Sequence, residues 1–314
     1  YPISDDAVVN QSQQPISIPI SLQKDGTYLA SKVLAKGKIG IGVNTYDGSD
    51  NNYGKNGIYK MQTYLDGKPA FDIAFNTFSY DETRYINAYI DYYRYKKMNQ
   101  RVQKMYYTKK YPLSLISSSL TDGIITIPPN ITSIYKVEIA DFNGNKTAVT
   151  IPIESANHEV KIPKAIKKTN YFIKSDNEYI FEKDKISVFI PEQTFYYDFH
   201  LKFDVKDKVL YLHDDSTPVH SNFSVTFEED SIPDADRDKF FIATINGKKT
   251  YYNSTKMKEK KFTTWTRNLG EFRLIKDSIS PKITSVNFQE GKWLSKQNDL
   301  QFEITDDLSG IKTY

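Results

Sequence analysis

Apolar and polar residues alternate in short runs along most of this chain, and turn-forming residues separate the runs. A period of two sends successive side chains to opposite faces of an extended segment, so each run reads as a half-buried β-strand. Val8-Val9, Ile16 to Ile20, Lys38 to Val43, Ile58 to Leu65 and Phe71 to Phe78 read in this way. So do Ile124 to Ile127, Tyr135 to Ala140 and Lys146 to Ile153. Lys24-Asp25-Gly26, Asp66-Gly67 and the turn from Asp141 to Asn145 punctuate them, because Asp, Asn and Gly accept positive φ.

A second block begins after Ser155. Strands are expected at 160–163, 171–173, 179–181, 186–190, 199–205, 209–212, 223–227, 240–245, 262–267 and 270–275, with Asn246-Gly247 as a hairpin signal. Strands at spacings of about 8–12 residues predict a β-sandwich. From Asp277 a polar turn and Pro281 lead into Ile283, then Trp293 to Ser295, Leu300 to Thr305 and Asp306 to Gly310. These resemble the first strands of an immunoglobulin-like sandwich, too few to close one.

One segment changes period. Ser79 to Glu82 has capping-box spacing, and Tyr85, Ile86, Tyr89, Ile90 and Tyr93 then recur at three and four residues. This predicts a single long helix over residues 82–97, with Ile86, Ile90 and Tyr93 facing a sheet. The expected architecture is therefore all-β. Two tandem β-sandwich domains at 1–155 (with the helix) and 156–277 precede a partial immunoglobulin-like domain at 278–314.

Composition sharpens the reading. The chain carries 24 Tyr and 18 Phe, more aromatic surface than cores need, which favours sheets and broad contact surfaces. Net charge is +3, too balanced for nucleic-acid binding by bulk electrostatics. The basic run Lys256, Lys258, Lys260, Lys261 reads as a solvated loop. Cysteine is absent, which removes disulfides, thiolate metal sites and a cysteine nucleophile. No apolar run approaches the roughly 20 residues that span a bilayer. The chain opens on Tyr1 rather than Met, as expected of the downstream part of a longer or processed chain.

Candidate chemistry is sparse. His200 and Asp204 form an HxxxD string, but no HxH occurs. On one strand they would lie roughly 13 Å apart at Cα. His213, Asp214, Asp215 and His220 are the densest group of potential ligands, next to Pro218, and read first as a surface turn. The Asp47 to Asn52 loop offers calcium-type oxygens, yet Ile58 stands where an EF-hand needs an acidic residue. Asp306-Asp307 reads likewise. No nucleophile elbow, HExxH, GxGxxG or phosphate-loop string is present, so no catalytic, cofactor or metal residue is assigned. Tyr85, Tyr89 and Tyr92 are expected as partner-contact residues on the helix.

The stretches YPISDDAVVNQS, LAKGKIGIGVNTYDGSDNNYGKNGIYKMQTYLDGK, FNTFSYDETRYINAYIDY, QRVQKMY and VEIADFNGNKT resemble the β-rich region after the peptidase domain in Bacteroidota-type members of the lysostaphin/LytM zinc metallopeptidase family. HDDSTPVHSNFSVTFE, LGEFRLIKDSISPKI and ITDDLSGIKTY resemble the later parts of the same proteins. The resemblance implies an upstream domain in which zinc activates water against cell-wall peptides, with none of its ligands in this chain. It also implies an exported protein of the periplasm or outer membrane. The expected role is a non-catalytic scaffold contacting envelope proteins, such as an outer-membrane complex; the alternative is a glycan or peptidoglycan-binding module.

Overall fold

The computed structural model describes residues 1–48, 55–117, 122–157, 159–165, 168–295 and 297–310. It is built from β-strands in several sheets, in two compact units, Tyr1–Lys167 and Lys168–Tyr314.

In the first unit, ten strands join in one sheet. Its centre is the hairpin of Thr132–Ala140 and Lys146–Ser155, paired along its whole length. Alternation along Thr132–Ala140 buries Ser133, Tyr135, Val137 and Ile139 and turns Thr132, Ile134 and Lys136 outward. Lys60–Leu65 and Lys68–Ala74 extend one side, while Val33–Ile39 and Tyr28–Ala30 pair parallel with Lys146–Ser155 on the other. Hairpins form at all four sites expected from sequence. At Asp66-Gly67 both residues take positive φ, and the Asp66 Oδ1 accepts the Ile134 N–H at 2.7 Å.

Two expected strands are interrupted for local reasons. Residues 16–19 have no ladder, and only Ile20–Leu22 pairs. Pro15 and Pro19 remove the donors a ladder would use. The run from Lys38 to Val43 splits into Val33–Ile39 and Gly42–Asn44. At the break the Tyr106 ring presses on Gly40, where a Cβ would sit 2.3 Å from it.

The single helix expected over 82–97 does not form. The segment forms a 3-10 turn at Thr83–Tyr85, a short helix Ile86–Tyr89 and a separate helix Tyr92–Met98. Ile90 is extended (φ −103°, ψ 159°) and bridges Gln103. Asp91 then starts the second helix by accepting the Arg94 N–H at 3.0 Å. An N-cap aspartate competes with continued helix, because its side chain offers a backbone donor the bond that the helix would not supply. Ile86 still packs against the core, whereas Tyr93 lies 55% exposed. Glu82 does not close the expected box on its own helix; its Oε2 accepts the Ser114 N–H at 2.8 Å.

After Lys146–Ser155 the chain stays with the first unit. The N–H groups of Lys161 and Ile162 donate to Gln11 O, and Gln13 N–H donates back to Ile162 O.

The second unit is a sandwich. One five-stranded sheet orders Tyr179–Lys183, Ile186–Ile190, Phe223–Glu228, Lys261–Thr266 and Thr255–Lys258. The other orders Phe203–Lys206, Val209–Leu212, Gly270–Lys276, Phe240–Asn246 and Lys249–Tyr252. The chain passes back and forth between them. Val188, Val225 and Phe262 from one sheet meet Leu210, Ile242 and Phe272 from the other in one core. Beyond it, Lys282–Ser285 and Phe302–Thr305 form a two-stranded ribbon exposed along its length. Asp277 Oδ2 accepts the Ser309 N–H, tying this segment back.

Candidate functional site

The three tyrosines expected as contacts do not share a face. Tyr89 is a correction: it is 3% exposed and belongs to the core. Its hydroxyl accepts the Tyr111 N–H at 3.0 Å and lies 3.2 Å from the Tyr111 carbonyl, and its ring meets Tyr107 edge-on. Tyr85 is half-buried and stacks on Tyr111 at 5.5 Å. Tyr92 lies beyond the helix break and packs on Tyr95. The break at Ile90 and Asp91 rotates the second helix out of phase, so spacing in sequence no longer means a shared stripe.

The histidines are held by local packing. His200 sits on Phe199–Leu201, with Nδ1 3.3 Å from the Thr169 carbonyl and its ring against Phe172. Asp204 is on the next strand, Phe203–Lys206, and pairs with Lys183 at 2.8 Å. The HxxxD string is thus split between two strands. His213 Nδ1 accepts the Lys202 N–H, its Nε2 lies 3.0 Å from Thr217 Oγ1, and its ring packs on Phe199. His220 Nδ1 lies 3.2 Å from the Tyr196 hydroxyl. Asp306 Oδ1 accepts the N–H groups of Leu308 and Gly310, a turn-closing role. His158 and the tip of the Asp47 loop, residues 49–54, lie outside the described residues. Among the described residues no three His, Asp or Glu side chains converge as ligands for a metal ion.

Carboxylates cluster at one end of the sandwich, around a 600 Å³ cavity floored by Ile186, Phe227 and Phe240. Three of them have basic partners. Lys185 and then Lys260 hold Asp230 down at about 2, and Lys276 and then Lys239 do so for Asp236. Lys208, then Ser231, lower Glu229 to about 2. A general acid at neutral pH needs the opposite shift, so this trio acts as ion-pair partners rather than proton donors. Depressed carboxylate values also fix a sign. Their stabilisation is complete above the unfolded values of 3.8 and 4.5 and disappears as pH falls toward about 2. The melting temperature of the second unit is therefore expected to fall through that window, less steeply in high salt, because these groups are solvent-exposed. An Asp230→Asn, Asp236→Asn variant should show a flatter fall; an identical profile would show that the pairs contribute nothing.

Exposed apolar side chains also line the outer face of the first sheet. In Lys261–Thr266, Phe262, Thr264 and Thr266 point inward, which leaves Trp265 outward and 52% exposed. Register places Trp265 opposite Ser224, Ser224 opposite Phe189 and Phe189 opposite Ile180. The result is a row running across four strands. Phe189 and Trp265 meet edge-on at 6.3 Å and roof over the small Ser224, which is buried beneath them. Ile180, on the edge strand, is 72% exposed. Apolar side chains aligned on an open sheet face are costly to leave in water and mark contact surfaces. The sequence signal for this row was the phase of Trp265, opposite to that of Phe262 within one strand.

Residues 170–277 match the Zu5-like domain family. The match covers the sandwich and the row on its outer face, and the first unit and the terminal ribbon lie outside it. No curated protein and no solved structure matches the chain.

Proposed function

We propose that this chain is a non-catalytic accessory region of an exported, peptidase-like envelope protein, and that it works as a scaffold docking a protein partner. In this reading it positions an upstream zinc peptidase-like domain in the periplasm or at the outer membrane. The envelope setting and the upstream domain rest on the resemblance of the quoted stretches to the lysostaphin/LytM family.

The docking role is carried by one observation, the Ile180, Phe189 and Trp265 row on an otherwise uncovered sheet face. A flat face mixing aliphatic and aromatic side chains suits a protein surface. A glycan site would instead align aromatic rings along a groove and supply hydrogen-bond partners for hydroxyls. Trp and large aliphatics at the centre of a patch are where truncation costs most binding energy.

The test is affinity purification of the tagged full-length protein from envelope extracts, beside Trp265→Glu and Ile180→Glu variants whose folding is checked by thermal melting. The expected outcome is a co-purifying protein whose binding to each variant falls at least about tenfold, while each variant stays folded. Retention of the same partner by both variants overturns the docking surface. Sedimentation of the isolated chain with peptidoglycan, lost in Trp265→Glu, replaces it with the glycan-binding reading.

A further inference from the structure

The first unit has a partly open cavity of 270 Å³ that no feature of the docking proposal uses. Its walls are mostly aliphatic, including Ile16, Ile18, Ile41, Val43 and Ile151. Ile16 and Ile18 come from the proline-flanked segment without a ladder, and Ile41 and Val43 from just beyond the break at Gly40. All four stay only half-buried although they face the core cluster. The cavity's volume approaches the lower end of small-molecule sites, about 300–1,000 Å³.

Arg94, Gln100 and Ser17 form one polar corner of the lining, to which Tyr1 and Asn44 add further polar groups. Arg94 is largely buried. Its Nε lies 3.3 Å from Asp91, and its Nη1 donates to Ser17 Oγ at 3.1 Å and Gln100 Oε1 at 3.2 Å. Asp91 is already committed, accepting the Tyr1 hydroxyl at 2.7 Å and the Arg94 N–H. Burial pulls the Lys104 ammonium below its usual range, with the Asp91 charge opposing, and its Nζ donates to the Ala88 carbonyl at 3.2 Å. The contacts of Arg94 run through Nε and Nη1 and that of Gln100 through Oε1, so Arg94 Nη2 and Gln100 Nε2 are the donors nearest a ligand's reach, and neither is a buried orphan.

We propose that this cavity is a binding site for a fatty acid, with the acyl chain among the isoleucines and valines and the carboxylate on Arg94 and Gln100. A carboxylate there accepts from Arg94 Nη2 and Gln100 Nε2. A charge-assisted bond to arginine is among the stronger hydrogen bonds available. A peptide segment fits less well, because its amides would be buried against aliphatic walls without partners. An acyl chain carries polar atoms at one end only, which is how the cavity is polarised.

The experiment titrates decanoate, decanol and a hydrophobic tripeptide into the chain by calorimetry, with thermal melting in parallel. Decanoate is expected to bind one per chain and to raise the melting temperature of the first unit. Decanol should bind at least tenfold more weakly. Arg94→Gln should remove the preference for the acid over the alcohol, and Val43→Trp, which fills the cavity, should abolish both. If Arg94→Gln fails to fold, the Val43→Trp result and the acid-to-alcohol ratio of the parent chain decide. Absence of decanoate binding, equal binding of acid and alcohol, or binding of the tripeptide alone overturns the proposal. None of these outcomes depends on a partner docking at Trp265.

Discussion

Gly123→Ala is expected to destabilise the first unit by about 2–5 kcal/mol, summing the left-handed backbone penalty and the cost of overpacking. Gly123 takes φ +70°, a region that a Cβ disfavours. Space is also lacking. A Cβ there would stand 2.0 Å from the Met105 carbonyl oxygen and 2.8 Å from the Phe71 ring and the Tyr106 Cα. The ring can turn, but the backbone cannot easily retreat. Met105 N–H is bonded to Ile41 O, and Tyr107 N–H to Asp122 O, on either side of the contact. Met105 and Phe71 are themselves buried in the core. Chemical denaturation followed by circular dichroism checks this. The transition of the first unit should move to lower denaturant and that of the second should stay. A shift within about 0.5 kcal/mol of the parent would mean that the close approach is not real.

Phe272→Ala is expected to cost the second unit about 3–5 kcal/mol, the range for removing a fully buried aromatic. Phe272 is fully buried, packs on Phe223 across the sandwich and belongs to the shared core of both sheets. Trp265→Ala is the control. Trp265 is the larger residue, but it lies on the outer face with Phe189 as its aromatic neighbour, so its truncation should cost about 1 kcal/mol, well below the loss at Phe272. The pair separates size from burial. Equal losses at the two positions would contradict the assignment of inner and outer faces on which the docking surface depends.

Much of this fold was legible because its signals are local. Turn pairs such as Asp66-Gly67 and Asn246-Gly247 specify hairpins through their own backbone preferences, and the adjoining strands pair as expected. Alternation in Lys261–Thr266 was enough to separate the face of Phe262 from that of Trp265. The helix was misread because a three- and four-residue period says nothing about where a helix stops. Asp91, a capping residue in mid-pattern, was the available warning. The role of Glu82 was out of reach, since its partner, the Ser114 N–H, comes from another part of the chain.

The sequence by itself determined the all-β class, the four hairpin turns and most of the strands, because a side chain's alternation and a turn's dihedrals involve only near neighbours. Tertiary structure alone decided that Tyr89 is core and bound to Tyr111, and that His200 and Asp204 serve different strands. It also aligned Ile180, Phe189 and Trp265 into one row and brought Arg94 to a cavity walled by residues far from it in sequence. Those relations depend on register between distant strands and on where chain segments pass each other. One-dimensional periodicity carries neither quantity, because pairing is chosen by the burial of whole faces at once.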